Sequence, residues 1–343
     1  MKRLLRLVRG QDWWFYKIPP ILATGYATAL VFDVPARETL VSLAAVLAAV
    51  CTVASFGYVV NDLFDIEQDR RAGKSNVMAR IGARGRALAI VVPLIAGFAI
   101  VAAAGGGLLA LGLLGLNFAL PALYSIPPVR LKERGVLGVV ADAGAAHLVP
   151  TALMVTALLP AEQRATPAAW LFLGSACGWA FFSGVRGIIV HQVVDRASDR
   201  LATVETFGGR IGVARARRLT FAVIVPLEVA SLAGFLALVI PSAPTVAFAA
   251  LLFAACEVQK IRLRWKLPMF EPPADSKESY IPLINNEFYE LWLPLSLALQ
   301  LALASPELIA ILAFQVVAFA PNLHARGAGM RELIAHAAWG SKR

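Results

Sequence analysis

Two acidic stripes carry the chemistry that this sequence advertises. The first closes an apolar run and reads Tyr58-Val59-Val60-Asn61-Asp62-Leu63-Phe64-Asp65-Ile66-Glu67-Gln68-Asp69. The second closes another, in His191-Gln192-Val193-Val194-Asp195-Arg196-Ala197-Ser198-Asp199. Spacings of three and four residues stack side chains on one face of a helix. Asp62, Asp65 and Asp69 are therefore expected to share a face, as are His191, Asp195 and Asp199. Like charges stacked in this way repel unless a cation sits among them, and acids at a helix carboxyl end also oppose the helix dipole. Carboxylate oxygens suit magnesium, which keeps its waters and bridges protein carboxylates to substrate phosphates. The competing reading is that these acids merely mark helix ends in water.

A third element follows the fourth apolar run: Tyr124-Ser125-Ile126-Pro127-Pro128-Val129-Arg130-Leu131-Lys132-Glu133-Arg134-Gly135. Its paired prolines predict a rigid extended turn. Arg130, Lys132 and Arg134 offer positive charge to a diphosphate and Tyr124 offers a hydroxyl. A basic loop on the cytoplasmic face of a membrane would look the same. His191 has three open roles, as a partner behind a metal ligand, a proton acceptor or a polar cavity residue. Its near-neutral pKa would suit a base, but it stays outside the expected catalytic set.

These groups need elements to hold them, and the chain is built for lipid. Of its 343 residues 59% are apolar, more than a soluble core of this length has to bury. Runs of about 20 apolar residues, enough to cross ~30 Å of hydrocarbon, are expected near 17–33, 38–60, 86–104, 106–123, 136–158, 168–194, 218–240, 244–257, 288–304 and 306–321. Pro306 either turns the chain between the last two or interrupts one long helix, so nine or ten spans are expected. The first run follows a basic segment without a small-residue cleavage site, so a removable signal peptide is not expected.

The net charge of +10 lies in short clusters between apolar runs and not in one patch, which argues for membrane topology and against nucleic acid. Clusters such as Arg70-Arg71, Arg130 to Arg134 and Lys260 to Lys266 fall in alternate loops, which places those loops and both acidic stripes on the cytoplasmic side. The stretch 266–290, rich in proline and charge, is too polar for lipid and reads as a cytoplasmic loop. Cys51, Cys177 and Cys256 lie inside apolar runs with no ligand set beside them and read as packing residues. No domain boundary interrupts 1–343.

Taken together, the three elements resemble those of the UbiA superfamily of intramembrane prenyltransferases. There an NDxxDxxxD motif follows the second helix, a DxxxD motif follows the sixth, and a YSxPPxRLKxRG loop lies between them. Asn61 to Asp69, Asp195 to Asp199 and Tyr124 to Gly135 match them in place and order. The resemblance implies an all-α polytopic bundle around a central cavity, with magnesium held by Asp62, Asp65, Asp69, Asp195 and Asp199. Asp62, Asp65, Asp195 and Asp199 would form the catalytic set, and Asn61, Lys74, Tyr124, Arg130 and Lys132 would bind the diphosphate. The activity implied is transfer of a polyprenyl group from a prenyl diphosphate to an unidentified acceptor, the tail lying in an apolar tunnel open to membrane lipid.

Departures from the pattern are Ala79-Arg80-Ile81 where the family has an Arg-Pro pair, and Thr203-Val204-Glu205 where it has glycine and a basic pair. A membrane terpene cyclase would use the same metal site. A cation-coupled transporter would also place carboxylates at broken helices, though nearer mid-span.

Overall fold

The computed structural model describes residues 10, 13–196, 206–262 and 284–340, and among them there is no strand. The elements are α1 (Trp14–Val31), α2 (Ala36–Phe64), the short α3 (Ile66–Arg71), α4 (Ala83–Ala103) and α5 (Leu108–Ser125). They continue with α6 (Val136–Leu158), α7 (Pro167–Val194), α8 (Phe207–Val239) and α9 (Pro244–Arg262). Last come α10 (Phe288–Ala304), α11 (Ile309–Ala318) and α12 (Ala320–Gly340).

Six described helices, α2 and α4 to α8, are long and apolar enough to cross a membrane, and the pair Pro306–Ala318 and Ala320–Glu332, bent by 66°, would make seven. The chain is an integral membrane protein on that ground. Outward side chains agree: on α4, Leu88, Val91, Val92 and Ile95 are all exposed, a surface that only lipid accommodates well. The nine or ten spans read from the sequence are not reached by length and apolarity alone. α1 begins with Lys17, Pro19 and Pro20, and α10 is a shorter apolar helix. At the end of α10, Ser305 is extended and Pro306 starts a new turn, with α11 packed back on α10. Pro306 therefore turns the chain.

Three helices share a local device. Gly144–Leu148, Thr220–Ile224 and Phe288–Trp292 are π-helical, and Pro150, Pro226 and Pro294 follow at the second position beyond each. A proline ring clashes with the carbonyl four residues earlier and brings no N–H, so the ladder slips to a five-residue step just before it. Thus Val149 N–H donates to the Gly144 carbonyl and Val225 N–H to that of Thr220. The slip leaves some carbonyls for side chains to satisfy.

The core between α7, α8 and α10 is aromatic: Trp179 lies 5.4 Å from Phe235 and 5.0 Å from Tyr289, centroid to centroid. An ion pair sits beside it. Arg186 on α7 donates to both oxygens of Glu228 on α8 at 2.7 and 2.8 Å, and Tyr289 Oη donates to the same carboxylate at 2.8 Å. Arg186 and Glu228 are fully enclosed, and charge at such depth persists only when paired and hydrogen-bonded. The network joins three helices that run toward the end where Asp195 lies.

Candidate functional site

One cavity of about 390 Å³ is walled by α1, α2, α5, α6 and α7. Its mouth carries Asn61, Asp65, Asp69, Lys74, Tyr124, Lys132, His191 and Asp195, and the rest of its lining is mostly apolar, with Ile21, Val50, Val53 and Pro121 beside the polar Lys17, Asn117 and Asp142. The structure thus brings both acidic stripes and the basic loop to one opening. Asp62 and Arg130 do not line it, and Asp62 is buried in the protein. Asp199 lies outside the described residues.

The first stripe is not one continuous helix face as the spacing suggested. α2 stops at Phe64, Asp65 sits at the break with φ −105° and ψ 3°, and α3 restarts at Ile66. The bend leaves Tyr58, Asn61, Asp65, Gln68 and Asp69 along the cavity. Asp62, one position off that line, faces into the fold.

Lys132 and Arg130 converge on Asp65. Lys132 Nζ donates to the carboxylate at 2.5 Å and to Asn61 Oδ1 at 3.2 Å. Arg130 Nη2 reaches Asp65 at 2.9 Å and also donates to Gln68 Oε1, while Arg130 Nε donates to Glu133 at 2.6 Å. Ser125 Oγ donates to Asn61 Oδ1 at 3.2 Å. Burial lowers the pKa of Lys132 from the ordinary lysine value, with Asp65 pulling the other way.

Backbone geometry sets this cluster. Arg130 takes a left-handed conformation with φ 37°, which starts the turn Leu131–Glu133. That turn lies directly on α6 at Gly138: a Cβ there would meet the Leu131 carbonyl oxygen at 2.7 Å and Lys132 Cα at 3.0 Å. Only glycine permits so close an approach.

Asn76 is a site residue that sequence reasoning missed. Its Nδ2 lies 2.7 Å from both the Asp62 carbonyl oxygen and Asp69 Oδ2, and Ala79 N–H donates back to Oδ1 at 3.2 Å. It clamps the far end of α3 to the end of α2 and orients the Asp69 carboxylate. No spacing signal marked it, because it stands alone in a basic loop.

The second stripe ends α7, where Asp195 N–H donates to the His191 carbonyl at 2.8 Å. Gln192 beside it accepts the Gly208 N–H at 2.8 Å on Oε1, which fastens the start of α8 to α7. Among the described residues no three His, Cys, Asp or Glu side chains converge as a ready-made metal centre. Asp65, Asp69, Asp195 and the Asn61 amide instead offer separate hard oxygen donors around one opening. That set fits magnesium, which takes one or two carboxylates and completes its shell with water and substrate phosphate in place of an all-protein cage.

The profile of the UbiA prenyltransferase family matches residues 19–269. The fold is similar to that of a UbiA homologue from Archaeoglobus fulgidus in several solved structures. With DMAPP and Mg2+ bound, that protein gives a TM-score of 0.56 at 18% identity over 90% of this chain and 99% of its own. With GPP and Mg2+ the values are 0.55 and 18% over the same shares, and with Cd2+ they are 0.57 and 17% over 90% and 98%. No curated protein matches significantly.

Proposed function

Since the chain belongs to the UbiA prenyltransferase family, we propose that it is a magnesium-dependent membrane enzyme that moves a prenyl group from a prenyl diphosphate to an acceptor and releases diphosphate. The observation that carries the reading is the meeting of Asp65, Asp69, Asp195 and Lys132 on one cavity whose remaining lining is mostly apolar. The A. fulgidus homologue, bound to DMAPP or GPP with Mg2+, supports the substrate class.

In this reading Asp65, Asp69 and Asp195 hold magnesium together with Asp199, whereas Asp62, buried and off the cavity lining, lies behind them. Magnesium, when bound, supplies positive charge that stabilises the leaving diphosphate. Lys74, exposed at the mouth, and Lys132 add charge to the diphosphate, Arg130 steadies Asp65, and Tyr124 and Asn61 position the phosphate oxygens. The apolar walls exclude water from the allylic carbon as its bond to oxygen breaks. Residues 1–343 act as one domain. α1, α9 and α10 join the six long helices as further spans, giving nine, with α11 a tenth, and the site opens on the cytoplasmic side.

The reading is tested with purified protein, labelled geranyl diphosphate and a lipid extract as acceptor source. Label passing into an acceptor adduct, and stopping on chelation of magnesium, supports it. Label collecting in a cyclised hydrocarbon without any extract identifies a cyclase, and no magnesium-dependent product at all contradicts it.

A further inference from the structure

A second hollow, of about 650 Å³, lies on another side of the bundle and shares no lining residue with the central cavity. α9 walls it with Phe248 and Leu252, α10 with Leu295 and Leu299, and α12 covers one end with Leu323 and Met330. Phe248, Leu252 and Leu299 are all exposed, so the groove is open along its side.

Its form follows from the path of the chain. α8 starts beside Gln192, at the end of the bundle where Asp195 lies, so α9 finishes at that end and α10 starts from it. α12 leaves α11 at a bend of 66° and crosses the same end, where Asn322 Nδ2 donates to the Phe15 carbonyl at 2.9 Å. Leu323, Gly327 and Met330, at helical spacings of four and three, are the side of α12 that meets the groove. From Glu287 at the covered end to Leu299 at the other is twelve residues, about 18 Å of helix. Half of a ~30 Å hydrocarbon layer is ~15 Å, so the groove is about one leaflet deep.

Charge sits only at the covered end. Glu287 is 12% exposed and has three donors around it: Lys260 at 3.4 Å, Arg326 at 3.2 Å and Trp292 Nε1 at 3.2 Å. Lys260 also pairs with Glu257 at 2.5 Å. Arg326 is 46% exposed, so its guanidinium, held to Glu287 through Nη1, keeps an outer edge at the membrane surface. At the deep end Thr245 Oγ1 donates to the Ser296 carbonyl and Ser296 Oγ to that of Leu293, both at 2.9 Å. Both hydroxyl protons are thus spent there, and a guest meets an apolar wall.

An apolar trough one leaflet deep, with an arginine at its surface end, has the polarity of a single membrane lipid. We propose that the groove binds one phospholipid from the leaflet on the side of the cavity mouth: an acyl chain lies between α9 and α10 under α12, and the phosphate meets Arg326. Guanidinium donors match phosphate oxygens in pairs, and basic groups at helix ends are where lipid headgroups are held. A lipid without phosphate would leave the Arg326 edge to water, and a soluble anion would leave the groove bare. Bound there, the lipid fastens α12 to α9 and α10. The proposal goes beyond the prenyltransferase reading and does not depend on it.

The test is native mass spectrometry of the delipidated full chain in detergent, titrated with dioleoylphosphatidylglycerol or with dioleoylglycerol, which has the same tails and no phosphate. Geranyl diphosphate with Mg2+ is measured in parallel. Wild type should take up one phosphatidylglycerol about tenfold more tightly than dioleoylglycerol, the worth of one charge-assisted contact. Arg326→Gln should erase that preference, and Arg326→Lys should keep part of it. A Cβ at Gly327 meets no atom within 4 Å, and leucine favours a helix more than glycine does. Gly327→Leu should therefore fold, fill the groove and weaken both lipids about tenfold. Geranyl diphosphate binding should stay within about twofold in all three variants, because the sites are separate. Phosphatidylglycerol binding that is the same in wild type, Arg326→Gln and Gly327→Leu overturns the proposal. So does its displacement by glycerol phosphate alone, which would mark a soluble-anion site, or a wild-type dimer that Gly327→Leu splits, which would make the groove an interface between two copies.

Discussion

Lys132 Nζ lies 2.5 Å from the carboxylate of Asp65, from a loop 67 positions further along the chain, and both groups are buried. The pair joins the basic loop to the first acidic stripe. It also holds Asp65 with a cation already in the protein, so substrate binding must rearrange or share this contact.

Lys132→Ala should therefore weaken geranyl diphosphate by about tenfold, the worth of one charge-assisted contact. Arg130 still reaches Asp65 at 2.9 Å, so the protein should stay folded, with a loss of about 2 kcal/mol in unfolding free energy. Titration calorimetry and a denaturant series check the two parts. Unchanged affinity would remove Lys132 from the diphosphate site.

Gly138→Ala probes the same contact from behind. The new Cβ would press on the Leu131 carbonyl and Lys132 Cα, which are backbone atoms and cannot swing aside. The turn should shift and take Lys132 with it. Its effect on geranyl diphosphate affinity should be close to that of Lys132→Ala, and the double variant should be no worse than either, since both act through one group. Additive losses would show that Gly138 matters for some other reason.

Asn76→Leu should raise the magnesium concentration needed for half-maximal geranyl diphosphate binding by about tenfold, because an unheld Asp69 carboxylate is a poorer ligand. Binding at saturating magnesium should recover. If magnesium dependence were unaltered, the clamp on Asp69 would be structural only.

The sequence made the acidic stripes and the basic loop readable because charge among apolar residues is expensive and so conspicuous. It fell short where tertiary structure intervened. Spacing alone placed Asp62, Asp65 and Asp69 on one helix face, whereas α2 breaks at Asp65 and Asp62, one position off the cavity-facing line, is buried. Asn76, Gln68 and Asn117 are uncharged and follow no period, so nothing in the sequence singles them out. The slips ahead of Pro150, Pro226 and Pro294 depend on how each helix tolerates its proline, and that too is invisible in composition.

Topology has its own test. With Cys51, Cys177 and Cys256 replaced by alanine, Arg134→Cys should react with a membrane-impermeant maleimide only after the membrane is opened from the cytoplasmic side, as its basic loop demands. Labelling of intact cells from outside would put the loop, and the site with it, on the other face.

The central claim is that both acidic stripes hold one metal–diphosphate complex, and magnesium-dependent binding of geranyl diphosphate measures it without needing the acceptor. Wild type, Asp69→Asn and Asp195→Asn would be titrated with geranyl diphosphate at saturating Mg2+ and again after chelation. The amide keeps the shape of the carboxylate but not its charge. Each variant should bind at least about 100-fold more weakly than wild type, equivalent to about 2.7 kcal/mol, and chelation should reduce wild type to a similar level. If Asp69→Asn or Asp195→Asn kept wild-type affinity at saturating magnesium, the shared metal site would be contradicted and the acids would return to being helix ends in water.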